Sequence, residues 1–187
     1  MIITSPSFKD GEFIPSKFSC DGSTLLTTGG STSLDQAQDK SLTTGGSTSL
    51  DVTRDKSFTA GGGDINPELQ IQNVPAEAKS LALIMHDPDA PMAGGFTHWL
   101  VWNIDPKTTL IKEESVPPQS TEGKNDAQRI GYIGPCPPSG IHHYHFKLYA
   151  LDAMLNLNSG AEKSALETEI KRHLIAQAEV VGLYQKK

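Results

Sequence analysis

The chain has 187 residues, 20% of them charged, and a net charge of -6. That length suits one domain with a sizeable core, and the acidic balance argues against nucleic acid as a partner, because phosphate contacts need a basic face. No apolar run approaches the roughly 20 residues of a membrane span. The N-terminus has no basic n-region and no long apolar stretch, so the expected location is the cytoplasm. In that compartment Cys20 and Cys136, the only cysteines, are expected to be reduced thiols.

Residues 1–22 read as short extended pieces, with Pro6 and Asp10-Gly11 as turns. From Ser23 to Gly63 the chain is mostly Ser, Thr, Gly and Asp, and Thr27 to Asp35 recurs identically at Thr43 to Asp51. Such a tract buries little apolar surface and reads first as a flexible surface insertion. Short Gly-Gly hairpins or an oligomer contact are the alternatives. A calcium site at Asp35 and Asp51 does not fit the nonapeptide pattern. After the insertion Glu68-Leu69-Gln70-Ile71 alternates polar and apolar, and residues 81–86 and 98–104 are apolar strands. Residues 105–128, polar and with Pro117-Pro118, read as a long loop, and 144–151 as an alternating strand. Ser159 with Glu162 resembles a capping box. Leu166, Ile170, Leu174 and Ala178 then line one side of a helix, and Gly182 is its expected stop. The expected class is mainly β (α+β): antiparallel sheets in a sandwich with one substantial helix, forming a single domain over 1–187 interrupted at about 23–63.

Three clusters carry chemistry: His86-Asp87-Pro88-Asp89-Ala90-Pro91, Thr97-His98-Trp99, and Gly134 to Tyr144. The first two lie at the ends of apolar strands, where turns on a rigid sheet commonly build sites. If a strand begins at His142, then His142 and Tyr144 share one face, and His143 and His145 share the other. A site of Asp87, Asp89, His98, His142 and Tyr144 is rich in hydrogen-bonding groups. Protonated histidines and the tyrosine hydroxyl can donate to a phosphate, and the carboxylates can orient the imidazoles. Gly134, Gly140 and the prolines Pro135, Pro137 and Pro138 allow close backbone approach and stiffen the loop. The sum is a small anion pocket with few fixed cations and no cofactor. Singly, each member reads as a turn former or core residue. A Cys136 nucleophile with His142 or His98 as base, or a zinc site from His86, Asp87, His98 and His142, would make a hydrolase. No G-x-S-x-G, P-loop or H-E-x-x-H motif accompanies either.

The segments DPDAP (87–91), THW (97–99) and GPCPPSGIHHYHF (134–146), in that order, resemble the phosphatidylethanolamine-binding protein family, in its bacterial and archaeal Raf-kinase-inhibitor-like branch. Ser5 to Gly22 and the closing Leu174, Gln177, Val181, Gly182 and Tyr184 fit the same branch. The resemblance implies a large antiparallel sheet packed on a smaller one, with helices at the edge. It implies an anion pocket that accepts phosphate, phosphorylated head groups, acetate or cacodylate. Asp87 and Asp89 match the family's acidic pair, and His98 its following histidine. Gly134, Pro135, Pro137 and Pro138 match the loop that closes the pocket, and His142 and Tyr144 match its far wall. The resemblance further implies a binder without catalytic turnover, or an inhibitor of a protein kinase or protease, and a homodimer as in bacterial relatives. The chain departs from the pattern in the residues between Gly22 and Asn66-Pro67 and in a shortened C-terminus, which weakens the transfer of kinase inhibition.

Overall fold

In a computed structural model the described residues are 1–22 and 64–186. The repeat tract at 23–63, with every expectation placed on it, lies outside them. Ten elements follow in chain order: β1 (Ile2–Thr4), β2 (Glu12–Phe13), β3 (Leu69–Gln72), β4 (Ser80–Asp87), β5 (Phe96–Ile104), β6 (Leu110–Ile111), β7 (Thr121–Glu122), β8 (His142–Leu151), α1 (Lys163–His173) and β9 (Leu174–Tyr184). A short 3-10 turn spans Ser16–Phe18. The strands form a six-stranded sheet, in the order β2-β9-β8-β4-β5-β7, and a three-stranded sheet, β1-β3-β6. All pairings are antiparallel except β2 with β9 at the edge of the large sheet. The architecture is therefore mainly β with one helix, as the sequence pattern suggested.

β4 explains the layering. Its run Ser80–Asp87 is buried almost throughout, so periodicity of two is lost and both faces must be covered. Leu81, Leu83 and Met85 face one core with Ile3, Leu69, Ile71 and Ile111 of the small sheet. Ala82 and Ile84 face a second core with Leu100, Trp102 and the helix residues Leu166 and Ile170. The large sheet is thus sandwiched between the small sheet and α1.

The helix is shorter than the four-residue spacing predicts. It starts at Lys163 after Glu162, which makes no side-chain cap bond. Ser159 bonds instead to the Glu122 carbonyl. It ends at His173, whose carbonyl accepts from Asp152 N–H and whose ring bonds Asp152. Leu174, the expected next member of the buried stripe, is 45% exposed. From there the chain extends and pairs with β8 down to the register pair Tyr184 with His142. Backbone pairing along a whole central strand outweighs a weak local helical preference here. Gly182 accordingly stops no helix. It lies within β9 because a Cβ there would run into Ile14 and come within 2.9 Å of the Phe8 ring. The expected loop over 105–128 holds the two-residue strands β6 and β7.

The cysteines correct the expectation of reduced thiols. Cys20 and Cys136 form a disulfide with Cα atoms 5.3 Å apart and a sequence separation of 116. Cys20 N–H also donates to the Pro135 carbonyl. A loop of that length would, in the chain-entropy model, stabilise the fold by up to about 5 kcal/mol. Replacing both cysteines by serine should therefore lower the unfolding free energy by about 2–4 kcal/mol, measured by denaturant titration. Reductant should shift the wild-type midpoint the same way and leave the double variant unmoved. Gly182→Ala should cost about 1–3 kcal/mol by overpacking against Ile14 and Phe8, in the same measurement.

Candidate functional site

Asp87 is the last residue of β4, and His142 the first of β8, its antiparallel neighbour. Their side chains meet at the end of the sandwich interior. His142 Nδ1 donates to Asp87 Oδ2 at 2.7 Å, and the other carboxylate oxygen accepts the Asp89 backbone N–H at 2.9 Å. Asp87 is thus both a turn former and a partner for imidazole. The face rule predicted for β8 holds. His142, Tyr144, Phe146 and Leu148 are buried, while His143 is exposed and His145 half-buried.

His98 joins them through a bulge. Met85 pairs with Trp99, but the next β4 residue, His86, pairs with Thr97. His98 is the extra residue in β5, and such bulges re-aim a side chain at the rim of a sheet. Its ring packs edge-on to Tyr144, centroids 5.2 Å apart, with Phe96 on another side at 4.8 Å. His142 stacks on Tyr144 at 6.4 Å. Little of the cluster meets solvent: Asp87 is 3% exposed, His98 5%, His142 6% and Tyr144 0%.

The protonation pattern follows from the partners. His98 Nδ1 lies 2.9 Å from the Ile133 carbonyl. A carbonyl only accepts, so Nδ1 carries the proton, and in the neutral ring Nε2 carries a lone pair. Burial pushes the His98 pKa down to about 4, against the opposing pull of the Ile133 carbonyl and Asp87. His98 is therefore neutral at pH 7, not the cationic donor that the sequence suggested. His142 keeps Nδ1–H on Asp87, so its Nε2 is a donor only when the ring is charged. Burial, then the charges of Asp87 and Asp89, push the Tyr144 phenol far above its ordinary value. Its hydroxyl stays neutral and lies near the Asp87 carboxylate, with no hydrogen bond of ordinary length and angle among the described residues.

The remaining candidates frame this centre. Asp89 turns to the rim, where its Oδ2 accepts both N–H and Nδ1–H of His143. That partnership holds the Asp89 carboxyl below its usual value. Gly134, Pro135 and Pro137 are buried, Pro138 is exposed, and the disulfide ties their loop to the turn at 19–21. Gly134 N–H is oriented to Asp64 at 3.4 Å.

Two alternative chemistries lose their residues. Cys136 is no nucleophile while bonded to Cys20. His86 faces the helix side, its Nδ1 3.2 Å from Lys163 Nζ, so it cannot join Asp87, His98 and His142 around zinc. No group of three or more His, Cys, Asp or Glu is arranged to hold a metal among the described residues. The sequence reading missed the Ile133 carbonyl, the Asp89–His143 clasp and the Ser19–Tyr184–Asp21 chain beside His142, in which Tyr184 donates to Asp21 at 2.8 Å. Only the clasp left a signal, a second histidine on the opposite face of β8. Two open depressions, of about 450 and 500 Å³, lie elsewhere, beside Ile71 and beside Phe13.

A six-stranded sheet on a three-stranded one, with an Asp–His pair and a bulge-placed histidine at one end, defines a class of protein. The model of the phosphatidylethanolamine-binding protein family matches residues 4–185, and the chain belongs to that family. Among its relatives, a UPF0098 protein of Pyrococcus horikoshii is 50% identical over 66% of each chain. A UPF0098 protein of Pyrococcus abyssi is 47% identical over all of this chain and 86% of its own. Among solved structures, a phosphatidylethanolamine-binding protein homologue from Chlamydia trachomatis is 33% identical, with a TM-score of 0.74, over 100% of this chain and 97% of its own. E. coli YbcL, described as a member of the mammalian family, is 26% identical with a TM-score of 0.74, over 99% and 98%. No helix among the described residues is long and apolar enough to cross a membrane.

The His98 ring sets a pH dependence. Its folded pKa lies below the unfolded value of 6.5, so below pH 6.5 the unfolded chain binds a proton that the folded one refuses. Stability is present above 6.5 and falls as the pH drops towards 4, by roughly 3 kcal/mol. Denaturant unfolding between pH 7 and 4 should show this loss, and His98→Gln should flatten it.

Proposed function

We propose that the chain is a non-enzymatic binding protein that takes phosphate, or a small phosphorylated or other anionic ligand, at Asp87, His98, His142 and Tyr144. The ligand would lie beside the loop 134–138, and its occupancy would modulate a protein partner. One observation carries the reading: the Tyr144 hydroxyl is buried without a partner in the middle of a polar cluster. Leaving such a donor unmade costs about 1–3 kcal/mol. A fold that keeps it is best explained by a ligand oxygen that accepts from it. The family's name, and the fit of the three motifs to one end of the sandwich, support the same reading.

Calorimetric titration with inorganic phosphate tests it. Saturable binding is expected for the wild type and a loss of tenfold or more for His142→Ala and Tyr144→Phe. Tyr144→Phe should also leave the ligand-free protein about 1 kcal/mol more stable, because the orphan hydroxyl is gone. A wild type that binds neither phosphate nor small phosphate esters refutes the proposal.

A further inference from the structure

We propose that the Cys20–Cys136 bond is a reversible redox switch: a dithiol reductant opens it in the folded protein, frees the segment 134–141, and so weakens anion binding at the neighbouring site. Only the last step rests on the anion reading above. Cys136 is exposed and Cys20 half-buried, so the bond is open to a thiolate from solvent, and exposed disulfides are the labile ones. One thiolate of the dithiol attacks the Cys136 sulfur and displaces Cys20. The second sulfur then displaces Cys136, which closes the dithiol into a cyclic disulfide. Two electrons pass to the protein, and each cysteine takes up a proton that the dithiol gives up.

The two sides of the bond differ in what else holds them. Next to Cys20, Phe18 and Ser19 are fully buried. Ser19 N–H donates to the Ser16 carbonyl, the Ser19 hydroxyl bonds Tyr184, and the Phe18 carbonyl accepts from the Tyr132 phenol. That side keeps its place without the sulfur link. Before Cys136, the Gly131 carbonyl accepts from the Asn125 side chain and Ile133 N–H donates to the His98 carbonyl. After it, His142 enters β8 and bonds Asp87. Between these anchors, residues 134–141 have no helix or strand, and Pro138 to Ile141 are exposed. Pro135, Pro137 and Pro138 have no N–H to give. Among the described residues, the hydrogen bonds on this segment are Cys20 N–H to the Pro135 carbonyl, at 3.0 Å, and Gly134 N–H to Asp64, at 3.4 Å. Gly140, with a φ of 72° and open space where a Cβ would stand, is a pivot at the far end.

Opening the bond therefore removes the covalent hold on a segment whose other ties are few, while the sheets keep theirs. The proposed ligand lies beside this segment. A tethered loop meets it already ordered, whereas a freed loop has to be ordered on binding, and that entropy is subtracted from the affinity. A freed loop also admits water to a cluster that is otherwise nearly closed to it, which weakens each hydrogen bond made there. The expected loss of affinity on reduction is about tenfold.

The test compares the oxidised full chain with the same chain in dithiothreitol, its free thiols counted by alkylation and mass spectrometry. NMR order parameters read the loop, and calorimetry with inorganic phosphate reads the site. On reduction the Gly134 and Cys136 amides should fall from about 0.85 to below about 0.6, while Ile133 and the amides of β4 and β8 stay near 0.85. The Kd for phosphate should rise about tenfold and return on reoxidation. Cys20→Ser combined with Cys136→Ser should match the reduced wild type and ignore dithiothreitol. A bond that dithiothreitol leaves intact in the folded protein, or a reduced protein that loses the β4 and β8 signals as well, would overturn the switch and leave the disulfide a structural link. A reduced protein with unchanged phosphate affinity would overturn the control of binding while the anion site stands. Absence of phosphate binding by the oxidised protein would remove the anion site and its control together, whatever the loop does.

Discussion

A carboxylate buried at the end of a sandwich is the constraint around which the site is organised. Taking Asp87 out of water is costly unless both oxygens are engaged. One accepts from His142 and the other from the Asp89 backbone. The first bond fixes the tautomer and tilt of His142 and holds the start of β8 against the end of β4. The second shapes the turn after β4 and delivers Asp89 to His143 on the outer face. A substitution at Asp87 would therefore reach the site, the turn and the first pairing of two central strands together.

That arrangement leaves a cluster with no lysine or arginine among Asp87, His98, His142 and Tyr144. For the proposed anion, recognition would come from dipoles and from matched donors and acceptors more than from fixed cations. The β5 bulge is central to this. It brings an uncharged imidazole next to a phenol that has no partner of its own, in a setting nearly closed to water. Low polarity strengthens each correct hydrogen bond and makes each wrong one expensive.

The disulfide gives the closing loop its footing. The turn at 16–22 and the segment 132–138 have little secondary structure of their own. They are joined by Cys20–Cys136, by the Cys20 N–H to Pro135 bond and by the Tyr132 hydroxyl donating to the Phe18 carbonyl. On the same side, Tyr184 links Ser19 and Asp21 to the end of β9, next to His142. The N-terminal turn is consequently a structural support of the site, although it lies far from it in sequence.

Much of this was legible in the residues alone. The apolar runs of β4 and β5 announce central strands, because burial on both faces removes alternation. The alternation from His142 to Leu151 assigned His142 and Tyr144 to the inner face, because the strand period of two is local geometry. The three motifs, in order, carried the family. What tertiary structure decided was everything set by partners distant in the chain. Leu174 to Tyr184 is a strand because β8 offers a full-length edge, which no local helical spacing reveals. The cysteines bond because two loops 116 residues apart meet, whereas their number alone suggested thiols. His98 is neutral because its burial makes it so, against the pull of the Ile133 carbonyl that fixes its tautomer. Residue types and periods are properties of the chain, but protonation, covalent pairing and the choice between helix and strand depend on which groups the fold brings into contact.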